Sequence, residues 1–181
     1  MSDLSQPPLT LLPTDGEGFA WPAPDLAGYA TPAASPAPPA CAVEGLNGHA
    51  LEGRLTLFDP QRTLVQLQVA NSRTPLSLRF DQFRRLRLRQ PLMALPATDA
   101  APDPTVERPL LNFRIQLHGA RLWEGRTQGH HELPWGLFLF EPLDDKGTLR
   151  RWFVPRTAYE SAEVGQRIQV MGQGLIGAVY S

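Results

Sequence analysis

A run of arginines is the segment of this sequence whose side chains are best suited to bind a ligand or a partner. Residues 84–89 read RRLRLR, with leucines alternating between the later arginines. Guanidinium groups are planar forks that bind phosphates, carboxylates and guanine edges. In an extended strand the alternation predicts arginines on one solvent-facing side and Leu86 and Leu88 in the core. The candidate ligand- or partner-binding residues are Arg84, Arg85, Arg87 and Arg89.

The sequence gives little support for catalysis or for a metal site. His130, His131 and Glu132 are adjacent, but neighbouring side chains of an extended segment point to opposite faces, so they do not converge on an ion. Cys41, the single cysteine, lies beside proline-rich sequence and excludes an internal disulfide. A nucleophile elbow and a P-loop are also missing from the sequence. We therefore expect a protein that is not an enzyme and has no resident cofactor.

The elements that must position the arginines are predicted to be antiparallel β-strands. Segments 50–58, 63–69, 76–80 and 85–89 have apolar residues at alternating positions, and turn-forming residues separate them. Strands resume at 113–117, 135–140 and 148–154. This pattern is typical of a mainly β protein with small antiparallel sheets.

Two proline-rich stretches divide the chain. Residues 1–42 contain no Lys or Arg, carry four acidic residues and show no apolar period, which predicts a disordered tail. Phe19 and Trp21 are its aromatic exception, able to dock on a partner or on the folded body. A second stretch, 94–109, is predicted to be a linker between a first β-barrel repeat at 43–93 and a second at 110–181. Without the tail the chain carries 17 basic and 14 acidic residues, too small an excess to indicate nucleic-acid binding.

The two strand-rich segments resemble each other. Residues 46–54, LNGHALEGR, align with 117–126, LHGARLWEGR, after one inserted residue. Each segment continues with an apolar strand, a polar turn, an arginine-bearing strand and an aromatic-rich end. A duplicated strand set is a common way to reduce exposed sheet edges, so we predict two tandem small antiparallel β-barrels.

Residues 83–92 (FRRLRLRQPL), 136–147 (GLFLFEPLDDKG) and 153–159 (FVPRTAY) resemble a known family. They are similar to the N-terminal, PilZ-like regions of proteobacterial type II secretion and type IV pilus assembly ATPases, over about residues 44–165. The resemblance implies a non-catalytic, cytoplasmic protein-interaction or regulatory module. Its partner would be a protein of the secretion or pilus machine, or an ATPase portion that follows this segment in a longer chain.

Two alternatives follow from the same residues. PilZ domains bind cyclic di-GMP through R-x-x-x-R and a later [DN]-x-S-x-x-G; residues 85–89 match the first pattern, and the second is missing from the sequence. The first repeat also resembles the Sm-like fold, whose rings bind RNA, with Leu57-Phe58-Asp59 at the position of its turn. The single cysteine, the lack of a long apolar stretch and the start Met1-Ser2-Asp3-Leu4 favour a cytoplasmic protein without membrane insertion.

Overall fold

The computed structural model describes residues 18–96 and 109–167. The disorder predicted for residues 1–17, most of the predicted linker (97–108) and the end of the second predicted repeat (168–181) lie outside the described residues. In the described part, no helix is long and apolar enough to cross a membrane.

Alternating sequence patterns form strands throughout the described residues, and two short 3₁₀ turns interrupt them. The first turn is Phe80–Gln82 and the second is Arg156–Ala158. The strands are β1 (Ala40–Gly45), β2 (Ala50–Asp59), β3 (Leu64–Gln68), β4 (Leu76–Arg79), β5 (Phe83–Leu88), β6 (Leu111–Leu117), β7 (Arg121–Thr127), β8 (His130–Leu133), β9 (Gly136–Pro142), β10 (Leu149–Pro155) and β11 (Tyr159–Arg167).

All pairings between these strands are antiparallel, which confirms the predicted mainly β, antiparallel fold class. One sheet has eight strands in the order β4-β3-β2-β1-β5-β10-β9-β8, and the other has three in the order β11-β6-β7. The closed barrels expected from the sequence are not formed by the described residues. Instead β5 pairs with β10, so one open sheet continues from the first predicted repeat into the second.

Strands β9 and β10 separate two hydrophobic cores. Their side chains alternate between the cores, because successive residues of a strand point to opposite faces. The first core also receives side chains from β1, β2, β3 and β5, and the second from β6 and β11. The residues facing the first core are Phe138, Phe140, Leu149 and Phe153; those facing the second are Leu137, Leu139 and Val154.

The segment before β1 differs from the sequence expectation. Trp21 is buried in the first core, with its ring 5.2 Å from that of Phe58 and 5.3 Å from that of Phe138. The Phe19 ring packs against that of Phe58, with 4.4 Å between the ring centres and a tilt of 37°. The carbonyl of Ala23 is hydrogen-bonded to the imidazole Nε2 of a histidine in β8, at 2.8 Å. Residues 18–24 therefore cover the open side of the first core, although they form no strand.

Candidate functional site

Most of the arginine segment lies in β5, between β1 and β10 in the sheet, and Arg89 follows the last residue of that strand. Leu86 and Leu88 are fully buried in the first core, as the alternation predicts. Arg85 is opposite Glu44 of β1, while Arg87 is opposite Ala42 on one side and Trp152 of β10 on the other. The face of β5 that carries the arginines is thus turned toward tryptophans of the second half of the chain.

Arg85 is held in a cluster and is not a solvated side chain. Its Nη2 lies 2.6 Å from Glu44 Oε2, and its Nε donates a hydrogen bond to the same oxygen at 2.7 Å. The guanidinium carbon lies 4.5 Å from the centre of the Trp123 ring and 5.1 Å from that of Trp152. The expectation of a solvent-facing row is therefore wrong at Arg85, because β7 and β10 place aromatic rings over it. We call Arg85, Glu44, Trp123 and Trp152 the arginine–tryptophan cluster.

Arg87 and Arg89 continue the row outward from this cluster. The guanidinium of Arg87 lies 5.9 Å from the Trp152 ring, at the long end of a cation–π contact. Among the described residues Arg87 makes no ion pair. Arg89 pairs with Glu52 at 2.6 Å, but both side chains are about half exposed, so water and salt weaken this pair. Of the three arginines in the row, Arg87 is therefore the one whose guanidinium is most able to bind a further group.

Arg84 is separated from the other three by a bulge. The register between β1 and β5 shifts after Glu44, which leaves Arg84 without an opposite residue. Its Nη1 is buried and has no hydrogen-bond partner among the described residues. A buried N–H without a hydrogen-bond partner destabilises the fold. Arg84 therefore belongs to the bulge and not to the row formed by Arg85, Arg87 and Arg89.

Two further buried polar atoms lie outside the arginine row. Arg151 Nε has no partner among the described residues, and burial lowers the pKa of this guanidinium. The Tyr159 hydroxyl is likewise unpaired in the described part, and burial raises its pKa, with Glu132 adding to the rise and Arg156 opposing it. These two atoms lie on different strands and do not form one site with the arginine row.

His131, from the histidine pair of the sequence, and Asp144 make contacts within the fold. His131 bonds the Ala23 carbonyl and packs edge-on against Phe140, 5.6 Å between ring centres, so it anchors the segment before β1. Asp144 accepts hydrogen bonds from the amides of Lys146 and Thr148, and the bonds from Thr148 chiefly lower its pKa. In the described residues no three His, Cys, Asp or Glu side chains are grouped so as to hold a metal ion.

Cys41 is buried in the first core, and desolvation raises the pKa of its thiol from 9.0 to about 12. We expect the thiol of the folded protein to resist alkylation at pH 8 and to react at the rate of a free thiol in urea. Stability should fall as pH rises between 9.0 and about 12, because the unfolded thiol releases its proton before the folded one. Rapid labelling under native conditions would contradict this; Cys41→Ser is the control for reagent specificity.

Comparisons with protein-family models, with curated proteins and with solved structures find no match to this chain. Any function must therefore be inferred from the chain's own residues and geometry. The arginine row is evident in the sequence. The tryptophans that contact it are not, because Trp123 and Trp152 are distant from residues 84–89 in the chain.

Proposed function

We propose that this chain is a non-catalytic protein-interaction and regulatory module of a secretion or type IV pilus assembly ATPase system. The observation that carries the proposal is Arg87, a half-buried cation beside Trp152 with no ion pair among the described residues. Arginine and tryptophan are enriched where protein interfaces gain most of their binding energy. The partner surface would carry a carboxylate for Arg87 and reach the exposed end of the row at Arg89.

The proposed module consists of two tandem copies of one strand set, and the strand pairing supports this. In the first half the order is β4-β3-β2-β1-β5. In the second half, β11-β6-β7 and β8-β9-β10 give the same order when β7 and β8 are taken as one strand interrupted at Gln128 and Gly129. In each half a three-residue 3₁₀ turn precedes the last strand.

Irregularities of the backbone at matching positions also support the equivalence of the two halves. Gly48 and Gly119, in the aligned L-x-G turns, both have positive φ, 84° and 81°, a conformation that glycine adopts at little cost. The bulge at Arg84 in β5 is matched by a register shift that leaves Glu160 extra in β11. Each of these two residues is the second after a 3₁₀ turn. Features at equivalent positions are what duplication of one ancestral unit would produce.

Cyclic di-GMP is a weaker candidate than a protein because the two arginines of R-x-x-x-R already have carboxylate partners. Arg85 is bound by Glu44 and stacked between two tryptophans, and Arg89 is paired with Glu52. A phosphate that took Arg85 would leave Glu44, itself only one-fifth exposed, without its partner. RNA binding by an Sm-like surface has less support, since the basic excess of the chain is small.

The test is binding of the purified chain to the secretion or pilus assembly ATPase of its own cell. Arg87→Glu should weaken this binding by about tenfold to a hundredfold, the range for losing a hydrogen-bonded charge contact, and should leave the melting temperature unchanged. Arg62→Glu is the matched control, because its side chain is 75% exposed in the turn between β2 and β3. Binding should be measured by titration calorimetry.

Three outcomes would overturn the proposal. Equal binding by Arg87→Glu and wild type would remove the arginine row from the interface. Failure of the wild-type chain to bind the ATPase would remove the proposed partner. Tight binding of cyclic di-GMP that is lost in Arg85→Ala would replace the proposal by a second-messenger sensor.

A further inference from the structure

Two sheet edges are left open at equivalent places in the fold. Among the described residues, β4 is the last strand at one end of the eight-stranded sheet, and β11 is the last strand at one end of the three-stranded sheet. The outer edge of such a strand presents unpaired N–H and C=O groups, which are a template for another strand.

The chain itself contains the pairing that these edges would make. Strand β10 ends immediately before a 3₁₀ turn, as β4 does, and β5 begins immediately after one, as β11 does. The internal junction pairs β10 with β5, antiparallel, with Trp152 opposite Arg87 and Phe153 opposite Leu86. The internal junction therefore pairs β10, which precedes one 3₁₀ turn, with β5, which follows the other. The two strands with open edges have the same relation, because β4 precedes a 3₁₀ turn and β11 follows one.

We propose that a second copy of this chain pairs its β4 with β11 of the first, head to tail, in the register of the internal junction. This inference rests on the duplication in the proposed function and names a second copy as a partner. Trp152 lies four residues before the start of the second 3₁₀ turn, and Leu76 lies four residues before the start of the first. Arg87 lies five residues after the end of the first turn, and Glu163 lies five residues after the end of the second. The transferred register places Leu76 of one copy opposite Glu163 of the next.

The side chains at the two edges suit this pairing. Arg79 at the end of β4 and Glu160 near the start of β11 are both more than half exposed, so an antiparallel pairing brings together edge ends that carry opposite charges. Leu76 is a large apolar side chain that is 42% exposed at the open edge, where a neighbouring strand would cover it. Pairing of unlike edges leaves one β4 and one β11 still open, so association continues until a ring closes or a filament forms.

Disulfide trapping tests both the pairing and its register. Opposite residues of an antiparallel pair have Cα atoms about 4.5–5.5 Å apart, within the range of a disulfide. We expect a mixture of Leu76→Cys and Glu163→Cys to form covalent dimers on mild oxidation, whereas neither variant does so alone. A variant carrying both cysteines should give a ladder of oligomers on non-reducing gels. Circular dichroism of each variant checks that it is folded.

The control mixture is Leu46→Cys with Glu163→Cys, because Leu46 is exposed in the turn between β1 and β2 and not at the β4 edge. Equal cross-linking in this control, self-linking of either single variant, or no cross-link at any concentration would overturn the proposal. Adding Arg87→Glu to the trapped pair should not change the yield, since Arg87 lies within the internal sheet. Failure of the chain to bind the ATPase, or equal ATPase binding with and without Arg87→Glu, would contradict only the proposed function if the cross-linking is retained.

Discussion

Replacing Trp21 by alanine is expected to lower the free energy of unfolding by about 3–5 kcal/mol, the usual cost of removing a buried aromatic side chain. Trp21 is 94% buried in the first core and contacts Phe58, Phe138 and Phe19. The alanine variant would leave a cavity between the two phenylalanines and would loosen the segment that His131 anchors. The measurement is urea denaturation followed by far-ultraviolet circular dichroism.

Leu46→Ala is the control, since its side chain is about half exposed in a hairpin turn and should change stability by less than about 0.5 kcal/mol. If Trp21→Ala were no more destabilising than this control, residues 18–24 would add nothing to the core. The same experiment therefore decides whether this part of the proline-rich segment belongs to the folded body.

The segment around Trp21 illustrates a limit of sequence patterns. Proline blocks propagation of helix and sheet, so a proline-rich stretch without an apolar period has the composition of a disordered tail. Docking needs only a few large side chains and a few backbone bonds, however. The Tyr29 hydroxyl donates to the Gly147 carbonyl at 2.7 Å, and the amide of Leu55 donates to the Pro39 carbonyl at 2.9 Å. Such partners lie far away in sequence or in unpatterned chain, and no local periodicity encodes them.

The strands themselves follow from local pattern, but their partners do not. Alternation fixes which side of a strand is buried, and Leu86 and Leu88 are buried as expected. Alternation says nothing about which strand comes next in the sheet, so the pairing of β5 with β10 was not predicted. One sequence feature did bear on the burial of β9, the neighbour of β10 in the sheet. Residues 137–140, LFLF, are an unbroken apolar run, which is typical of a strand buried on both faces.

The arginine row also combines features that the local sequence pattern predicts with features that depend on strand pairing. The four arginines, and the alternation of the last three with leucines, are evident in the sequence, whereas the electrostatic surroundings of the row come from three other strands. Glu44 of β1, Trp123 of β7 and Trp152 of β10 convert Arg85 from a binding candidate into part of the structure. The candidate site thereby contracts to Arg87 and the exposed end at Arg89.

Replacing Phe153 by alanine is expected to destabilise both halves of the described fold together, by about 3–5 kcal/mol. Phe153 belongs to β10, in the second predicted repeat, yet it is fully buried in the first core. Its ring lies 5.0 Å from that of Phe58 and 5.1 Å from that of Phe80, both in the first predicted repeat. Since one core draws on both repeats, the variant should melt in a single transition at a lower temperature, measured by scanning calorimetry.

Leu133→Ala, at an exposed position of β8, is the control and should leave the transition in place. Two separate transitions, with only one of them shifted by Phe153→Ala, would indicate that the repeats fold independently and that the shared core contributes little. A single shifted transition instead implies that losing either repeat exposes the aromatic rings of the other. The arginine row between them would then be presented only by the intact pair, because Trp152 and Arg87 come from opposite sides of the same junction.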